Sequence, residues 1–295
     1  MKLDFFIMGT EKGGSTYLLQ CVREHPSIFM PSQELAFFED PFYDADDLSE
    51  FEKHFSDPGD VQLLGVKRPS MLGHPRFGER LHRAYPDAKL IAILRNPIDR
   101  ALSAHTHHRA SGIIPNMSAE RFLNRMLEGP IPGCPRASTV LEQGLYEQHL
   151  RRIEEWYPTE RICLLTLEDI KQDDRSALRR VFEFLDVDPD YEPNARSNRP
   201  MRAPYSPIIA TYRRWTTGML HSRTEDGFLV RRTTPLLTPV HFVCAAGNRI
   251  LERVLPAGSK PKISPELRAR LVDYYAEDIS GLEQRLGRDL SSWRT

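Results

Sequence analysis

A glycine-rich segment near the start of the chain has the residue types and spacing of an anion-binding loop. Residues 9–16 read GTEKGGST and lie between a short apolar run, Leu3 to Met8, and a helical pattern that begins at about Thr16. At such a strand–loop–helix junction, backbone N–H groups and the positive end of the helix dipole converge on one point. The spacing therefore predicts a phosphate or sulfate site. A glycine-rich turn with an exposed lysine is the alternative.

The lysine of this loop is displaced from the position that nucleoside triphosphate enzymes use. Gly9, Gly14 and Thr16 fall in register with the pattern GxxxxGK[ST], but Ser15 takes the place of its lysine and Lys12 lies inside the loop. A triphosphate with magnesium needs a lysine at its β and γ phosphates, whereas a phosphosulfate needs a cation near the bridging oxygen. The pattern favours the second ligand. A P-loop nucleotide kinase is the alternative, weakened because no magnesium-holding carboxylate of the Walker B type is evident.

A second candidate anion contact follows an apolar run farther along the chain. Leu90 to Leu94 predicts a buried strand, which would deliver Arg95 to the edge where open α/β sheets bind ligands. Asn96-Pro97 then begins a helix that carries Ser103 two turns along. We therefore expect Arg95 and Ser103 to hold one phosphate together. The alternative is a helix cap at Asn96 with Arg95 in a surface ion pair.

The elements that must position these side chains follow from the pattern of apolar runs. After Leu3 to Met8, near-continuous apolar runs recur at Leu63 to Val66, Leu90 to Leu94 and Ile162 to Leu167, with amphipathic helix patterns between them. Such alternation is typical of an α/β fold with a central, mostly parallel sheet and helices on both faces. A chain of 295 residues is an ordinary size for one such domain, so we expect a single domain over 1–295.

Composition limits the classes of partner and the compartment. The chain has 40% hydrophobic and 27% charged residues, and its formal net charge of −1 predicts no nucleic-acid partner and no membrane partner. Cys21, Cys134, Cys163 and Cys244 lack CxxC or zinc-ligand spacing and are expected to be reduced thiols. Neither a secretory leader nor a run of roughly 20 apolar residues is evident. The sequence therefore predicts a soluble, cytoplasmic protein.

Taken together, these stretches resemble the sulfotransferases that use 3′-phosphoadenosine 5′-phosphosulfate (PAPS), in the branch that contains the heparan sulfate and many bacterial enzymes. Lys12 to Thr16 is similar to their KGGT phosphosulfate loop, and Arg95 to Arg100 with Ser103 is similar to their 3′-phosphate motif. The other matching motifs are His25-Pro26, Glu34 with Phe37-Phe38, Gly65 to Ser70, Gly144 to Tyr146, and Leu286 to Leu290 with Trp293. The resemblance runs in order through nearly the whole chain.

The resemblance implies a P-loop-like sulfotransferase fold and transfer of a sulfuryl group from PAPS to a hydroxyl or an amine. The acceptor would be a carbohydrate or a small molecule, the product nucleotide would be adenosine 3′,5′-bisphosphate, and no metal would be required. By the same resemblance, Glu34 is the catalytic base, Lys67 assists it, and Lys12 contacts the phosphosulfate bridge. The 5′-phosphate would be held by Gly13, Gly14, Ser15 and Thr16, and the 3′-phosphate by Arg95 and Ser103.

Other positions carry weaker predictions. Arg199 lies in a predicted surface loop, Asp186 to Pro207, and is a further candidate for the 3′-phosphate because arginine favours phosphate. Departures from the family's KEPHFF stretch at Gln33, Leu35 and Ala36 bear on acceptor contacts. The histidines of one predicted helix, His105, His107 and His108, are expected to line a groove near Ser103 rather than to bind a metal, because no carboxylate is spaced with them. Trp215 is expected to pack.

A non-enzymatic alternative is a nucleotide-binding interaction module. It would bind adenosine 3′,5′-bisphosphate tightly and transfer nothing. Glu34 and Lys67 argue against this alternative, since binding alone requires neither side chain.

Overall fold

The computed structural model describes residues 1–131, 134, 137, 139–197, 206–223, 229–232, 238–255 and 261–295. The chain folds into two compact units. The first comprises Met1–Asn96, Leu145–Pro200 and Glu277–Ser292, and the second comprises Pro97–Gly144, Met201–Ala276 and Trp293–Thr295. The single domain over 1–295 stays a prediction.

The first unit is built on a five-stranded sheet in which every pairing is parallel. Its strands are β1 (Phe5–Gly9), β2 (Ile28–Phe29), β3 (Leu63–Lys67), β4 (Lys89–Leu94) and β5 (Ile162–Thr166). Their order across the sheet is β2-β3-β1-β4-β5. Because β3 and β4 flank β1 on opposite sides, the chain winds away from β1 in both directions. In open α/β sheets, ligands bind at the carboxyl ends of the strands at such a point.

Helices connect the strands and make up most of the second unit. In chain order they are α1 (Ser15–Arg23), α2 (Ser49–Glu52), α3 (Phe77–Ala84), α4 (Pro97–Ala110), α5 (Ala119–Glu128), α6 (Tyr146–Glu154), α7 (Leu167–Gln172), α8 (Asp174–Phe184), α9 (Pro207–Leu220), α10 (Thr238–Val254) and α11 (Pro265–Leu286). Short 3₁₀ turns lie at Lys53–Phe55, Glu142–Gly144, Thr159–Arg161, Asn194–Ser197 and Ser291–Arg294. In the second unit, β6 (His221–Arg223) and β7 (Leu229–Arg231) pair as an antiparallel ribbon.

The sheet of the first unit is buried on both faces. On one face, Phe5, Ile7, Ile91 and Ile93 pack in a single core with apolar residues of α1 and α8. On the other face, the ring of Phe6 contacts the ring of Phe77 on α3 at a centroid distance of 4.8 Å. Continuous apolar strands of this kind occur where helices cover both faces of a parallel sheet. The predicted α/β architecture is confirmed.

Details of the sequence prediction differ from the structure at the ends of elements. The predicted strand Leu63 to Val66 extends to Lys67, and the strand predicted from Leu90 begins at Lys89. Strand β2 was not predicted, because a pair of residues carries no periodicity of its own.

Two further observations bear on the sequence predictions. All four cysteines are buried, and no disulfide joins them. Within the described ranges, none of the helices combines the length and the apolar character that crossing a bilayer requires.

Candidate active site

The glycine-rich loop is pinned to strand β4 by its own polar groups. Thr10 donates from its amide (2.9 Å) and from its Oγ1 hydroxyl (3.0 Å) to the carbonyl of Ile93. The amide of Gly13 in turn donates to the carbonyl of Thr10 (3.0 Å). Lys12 and Gly14 adopt left-handed backbone conformations, with φ of 66° and 110°. The loop is thereby held in a tight turn at the carboxyl ends of β1 and β4.

Helix α1 begins directly after this turn, at Ser15. The amides of Tyr17 and Leu18 both donate to the carbonyl of Gly14, so the amides of Ser15 and Thr16 are among the donors that an α-helix leaves without an intrahelical acceptor. The hydroxyl of Ser15 is turned inward and donates to the carbonyl of Thr10 (3.4 Å). Ser15 therefore offers its amide to an anion, and the helix dipole adds to the attraction.

Gly13 is the tightest position in the loop. A Cβ atom at Gly13 would lie 2.3 Å from Oγ1 of Thr10 and 2.5 Å from the carbonyl oxygen of Ile93. Both atoms belong to the hydrogen bonds that pin the loop to β4. Any side chain at this position must therefore displace backbone.

We expect Gly13→Ala to lower the free energy of unfolding by about 1–3 kcal/mol, because overpacking a closely packed site forces the backbone to shift. Urea denaturation followed by circular dichroism measures the change. Gly218→Ala on α9 is the matched control, since a Cβ at Gly218 would meet nothing within 4 Å. Alanine in a helix interior should stabilise that variant by about 0.5–1 kcal/mol. An unfolding midpoint for Gly13→Ala equal to that of the wild type would show that the loop is not rigidly packed.

Three cations gather around the loop: Lys12, Lys67 and Arg95. Burial is the main cause that lowers the pKa of Lys12 below its ordinary value. The positive charges of Arg95 and Lys67 lower this pKa further, while Glu11 and Glu34 oppose them. A bound anion would relieve the repulsion among the three cations. The charges, the glycine turn and the helix N-terminus together fit the phosphosulfate part of PAPS.

Arg95 also supports the loop directly. It follows β4, and its Nη1 atom donates to the carbonyl of Lys12 at 3.2 Å. The hydroxyl of the buried Tyr146, at the start of α6, donates to the carbonyl of Arg95 at 2.8 Å and holds its backbone in place. Tyr146 belongs to the motif Gly144 to Tyr146, for which sequence reasoning assigned no role. Its contact explains why a tyrosine is suited to this position.

Lys67 joins the anion loop to the candidate base. Its ammonium donates to Oε1 of Glu34 at 2.5 Å and to Oγ1 of Thr16, in the first turn of α1, at 3.2 Å. The side chain of Lys67 is 2% exposed and that of Glu34 is 39% exposed. The lysine is therefore fixed within the protein, while the carboxylate that it holds is open to solvent. The two predicted catalytic residues lie together, beside the loop.

Parallel pairing of β2 with β3 explains how Glu34 reaches Lys67. Ile28 pairs with Leu63 and Phe29 with Leu64, so both strands run toward the same edge of the sheet. Lys67 ends β3, and Glu34 follows β2 after a few residues of loop. The buried ring of His25 orders the turn before β2, because its Nδ1 atom accepts from the amide of Ser27 (3.1 Å).

Arg68 and Ser70, which the sequence analysis did not assign to the site, contact carboxylates there. Arg68 lies near Glu34, and both residues donate to Glu39. Nη1 of Arg68 lies 3.8 Å from Oε2 of Glu34, and Nε of Arg68 donates to the buried carboxylate of Glu39. The hydroxyl of Ser70 donates to the same Glu39 oxygen at 2.9 Å. Glu39 thus fixes the guanidinium that faces Glu34. The sequence indication for Arg68 and Ser70 was their place beside Lys67 in the motif Gly65 to Ser70.

The remaining predicted site residues are placed as follows. Ser103 is half-buried on α4, in the second unit, and its joint hold on a phosphate with Arg95 stays a prediction. Arg199 lies outside the described residues.

The histidines of α4 are mainly structural. His105 is buried, its ring packs on Phe122 at 5.1 Å, and its Nε2 atom lies 3.0 Å from the carbonyl of Met117. Burial lowers the pKa of His105 to about 4, so the ring is neutral at neutral pH. His108 is also buried. The expectation that these rings line a groove near Ser103 is therefore wrong for His105 and His108, whose rings are enclosed by the protein. No group of three potential metal ligands occurs among the residues that the structure describes.

Comparison with known proteins agrees with this arrangement. The family model described as Sulfotransferase domain matches residues 2–199. Heparan sulfate glucosamine 3-O-sulfotransferase 6 of Mus musculus is 32% identical over 181 residues, which are 61% of this chain and 51% of the relative. The bifunctional heparan sulfate N-deacetylase/N-sulfotransferase 2 of Homo sapiens is 25% identical over 195 residues, 63% of this chain and 22% of the relative. The chain thus spans about half the length, or less, of these relatives.

A solved structure matches the chain over its full length. The sulfotransferase from Alicyclobacillus acidocaldarius superposes with a TM-score of 0.68 at 22% sequence identity and covers 100% of both chains. This likeness establishes the fold. Since the family model covers the whole sheet, the anion loop and the segment with Glu34 and Lys67, the chain belongs to the sulfotransferase family.

Proposed function

We propose that the protein transfers the sulfuryl group of PAPS to a hydroxyl or an amine of a carbohydrate or small-molecule acceptor and releases adenosine 3′,5′-bisphosphate. The observation that carries the proposal is the bridge made by Lys67, which donates to Thr16 beside the anion loop and to the carboxylate of Glu34. The bridge keeps a proton acceptor one side chain away from the anion site. Binding a nucleotide alone has no need of this arrangement.

Each charged group has a proposed role that follows from its position. PAPS supplies an activated sulfuryl group. Glu34 takes the proton of the acceptor as the acceptor attacks, because a hydroxyl is a poor nucleophile until its proton is leaving. The half-open position of Glu34 leaves room for an acceptor to approach. Lys67 orients the carboxylate, and Lys12 lies in the loop where charge develops on the bridging oxygen.

The acceptor class is supported by the relatives and by the residues next to Glu34. The names of the relatives describe sulfation of a glucosamine and an N-sulfotransferase, that is, transfer to an oxygen and transfer to a nitrogen. Gln33, Leu35 and Ala36 differ from the family's KEPHFF stretch immediately around the base. We therefore propose that the acceptor differs from the one that the KEPHFF residues of the family would select. It belongs to the wider class of saccharides and small molecules.

A screen with sulfur-labelled PAPS tests the function. The protein is incubated separately with pools of saccharides, hydroxylated small molecules and amines, and both labelled product and released adenosine 3′,5′-bisphosphate are measured. We expect one pool to take up label in equal amount to the nucleotide released. Label transfer without the protein is the control.

Two other results would each replace the proposal, the first from this screen and the second from the same incubations with ATP in place of PAPS. Tight binding of adenosine 3′,5′-bisphosphate without transfer to any pool would indicate a non-catalytic binding module. Transfer of the γ-phosphate of ATP to an acceptor would indicate a nucleotide kinase. The displaced lysine at Lys12 makes the second outcome unexpected, because no lysine stands at the position of Ser15.

Recognition of the 3′-phosphate gives a separate prediction. We expect adenosine 3′,5′-bisphosphate to bind at least about 10-fold more tightly than AMP, because each charge-assisted hydrogen bond to that phosphate contributes roughly 1.5–3 kcal/mol. Isothermal calorimetry measures both affinities. Ser103→Ala should weaken the bisphosphate and leave AMP unchanged. Equal affinity of the wild type for the two nucleotides would remove Arg95 and Ser103 from the 3′-phosphate site.

A further inference from the structure

Helices α9 and α10 of the second unit pack against each other through polar contacts. The hydroxyl of Tyr212 donates to the carbonyl of Cys244 at 3.0 Å, and Nε of Arg213 donates to Oδ1 of Asn248 at 2.8 Å. A Cβ at Gly247 would lie 2.4 Å from the hydroxyl of Tyr212, so the helices approach closely at this glycine. Cys244, Gly247 and Asn248 therefore mark the side of α10 that faces α9.

The solvent-exposed surface of α10, away from these contacts, is largely apolar. Phe242 is 73% exposed, Val243 is 70%, Ile250 is 60% and Val254 is 73%. Phe242, Ile250 and Val254, with the exposed Ala246, are spaced by four residues and form a stripe about 18 Å long at 1.5 Å per residue. A contiguous apolar stripe of this kind on a soluble protein marks an interaction surface.

Helix α9 adds large apolar side chains of its own. Ile208 is 58% exposed and Trp215 is 62% exposed. Trp215 was expected to pack, but the structure places it largely on the surface, with its ring 6.3 Å from that of Tyr212. Tryptophan is typical of the interfacial layer of bilayers, because its ring is amphipathic.

Positive charge accompanies this apolar surface. Residues 207–262 contain nine lysines and arginines against three acidic residues, although the whole chain has a formal net charge of −1. Arg249 and Arg253 are exposed and lie one turn apart, on the same side of α10 as the stripe. The expectation of no membrane partner rested on the net charge of the whole chain. A net charge does not reveal that positive charge is concentrated in one segment.

The exposed apolar side chains and the positive charge of this surface together indicate which kind of partner would bind it. A second copy of the chain in a two-fold dimer would bring this basic surface against itself. A soluble anionic polymer would pair with the arginines but would leave Phe242, Ile250 and Val254 in contact with water. An anionic bilayer satisfies both features, because apolar side chains enter the boundary of the acyl chains while arginines extend to the headgroups.

We propose that the α10 face, defined as Phe242, Val243, Ala246, Ile250 and Val254 with Arg249 and Arg253, docks the protein on the surface of an anionic lipid bilayer. The helix lies in the interface and does not span it. Each arginine near an anionic surface adds to the affinity, and the attraction falls with salt.

Co-sedimentation with vesicles tests the proposal without reference to enzymatic activity. We expect the protein to sediment with vesicles of phosphatidylcholine containing roughly a third phosphatidylglycerol, and at least about tenfold less with phosphatidylcholine alone. Phe242→Ser with Ile250→Ser, and separately Arg249→Glu with Arg253→Glu, should each lower the binding to the anionic vesicles at least about tenfold. Phe42→Ser is the matched control, since Phe42 is 43% exposed and lies in the first unit.

Several outcomes would overturn the proposal. They are failure of the wild type to bind anionic vesicles, equal loss of binding in the control, and unchanged binding in either double variant. Sedimentation velocity separates the competing occupant, because a dimer that the Phe242→Ser and Ile250→Ser changes dissociate would assign the α10 face to a second copy. Circular dichroism confirms that each variant is folded.

Discussion

Replacing Glu34 with glutamine is expected to lower turnover by about 10²–10⁴-fold while the affinity for PAPS stays nearly unchanged. Glutamine keeps the shape of the side chain, and its Oε1 atom can still accept from Lys67. It cannot take the proton of an acceptor. Glu34 is hydrogen-bonded to Lys67, which in turn donates to Thr16, and the glutamine variant keeps this link and leaves the anion-binding groups in place. The expected loss is therefore in the rate of transfer and not in binding.

Single-turnover kinetics and calorimetry measure the two quantities separately. Glu50→Gln on α2 is a suitable control, because Glu50 is an exposed carboxylate in the same unit and pairs with Lys53, three residues along the chain. That variant should retain wild-type turnover. If Glu34→Gln kept more than about a tenth of the turnover with chemistry rate-limiting, the proton would have to leave to another group. A parallel fall in PAPS affinity would instead point to a structural role for the Lys67 bridge.

Much of the sheet and the anion loop could be predicted because local pattern determines them. The strands β1, β3, β4 and β5 are near-continuous apolar runs, and such runs identify strands that helices cover on both faces. Glycines at Gly13 and Gly14 are required by a close backbone approach and by a left-handed conformation. Local requirements of this kind are visible in a single sequence.

The contacts around Glu34 could not be predicted from local sequence pattern, because they join residues that are distant in the sequence. Strand β2 is two residues long and is a strand only because Ile28 and Phe29 pair with β3. The link from Glu39 to Arg68 joins positions 29 residues apart, and Glu39 is buried although it lies in a segment rich in acidic residues. Carboxylates are ordinarily exposed, so the sequence alone predicts an exposed Glu39. Its burial depends on tertiary contacts that the sequence does not display. Glu34 itself was identified by family resemblance.

The α10 face shows that the sequence also does not indicate which apolar residues stay exposed. The spacing of the apolar residues from Thr238 to Val254 indicates that the helix has an apolar side, but it does not indicate what covers that side. In the described part of the chain, the large side chains of this stripe are mostly exposed. Residues such as Phe242 and Trp215 are therefore informative only once exposure is known. Burial, which depends on the tertiary neighbours, decides between a core helix and an interaction surface.

Lys12→Ala is expected to lower the rate of transfer by about 10²–10³-fold and to weaken adenosine 3′,5′-bisphosphate far less. Charge grows on the bridging oxygen as the S–O bond breaks, so an ammonium beside that oxygen stabilises the transition state more than the bound ground state. Lys12 lies in a tight turn with Arg95 donating to its carbonyl, and this contact survives loss of the side chain. Alanine and lysine tolerate a φ of 66° about equally, so the change adds no backbone strain.

The lowered pKa of Lys12 gives a reason why Lys12→Ala should affect the rate more than the affinity. Burial and the charges of Arg95 and Lys67 disfavour the ammonium in the absence of ligand, and growing negative charge in the transition state reverses that preference. Lys171→Ala, at an exposed lysine of α7, is the control and should match the wild type in rate and affinity. Pre-steady-state rates and calorimetric affinities are compared for the three proteins. Equal losses of rate and affinity in Lys12→Ala would show that Lys12 anchors the nucleotide and gives the transition state no additional stabilisation.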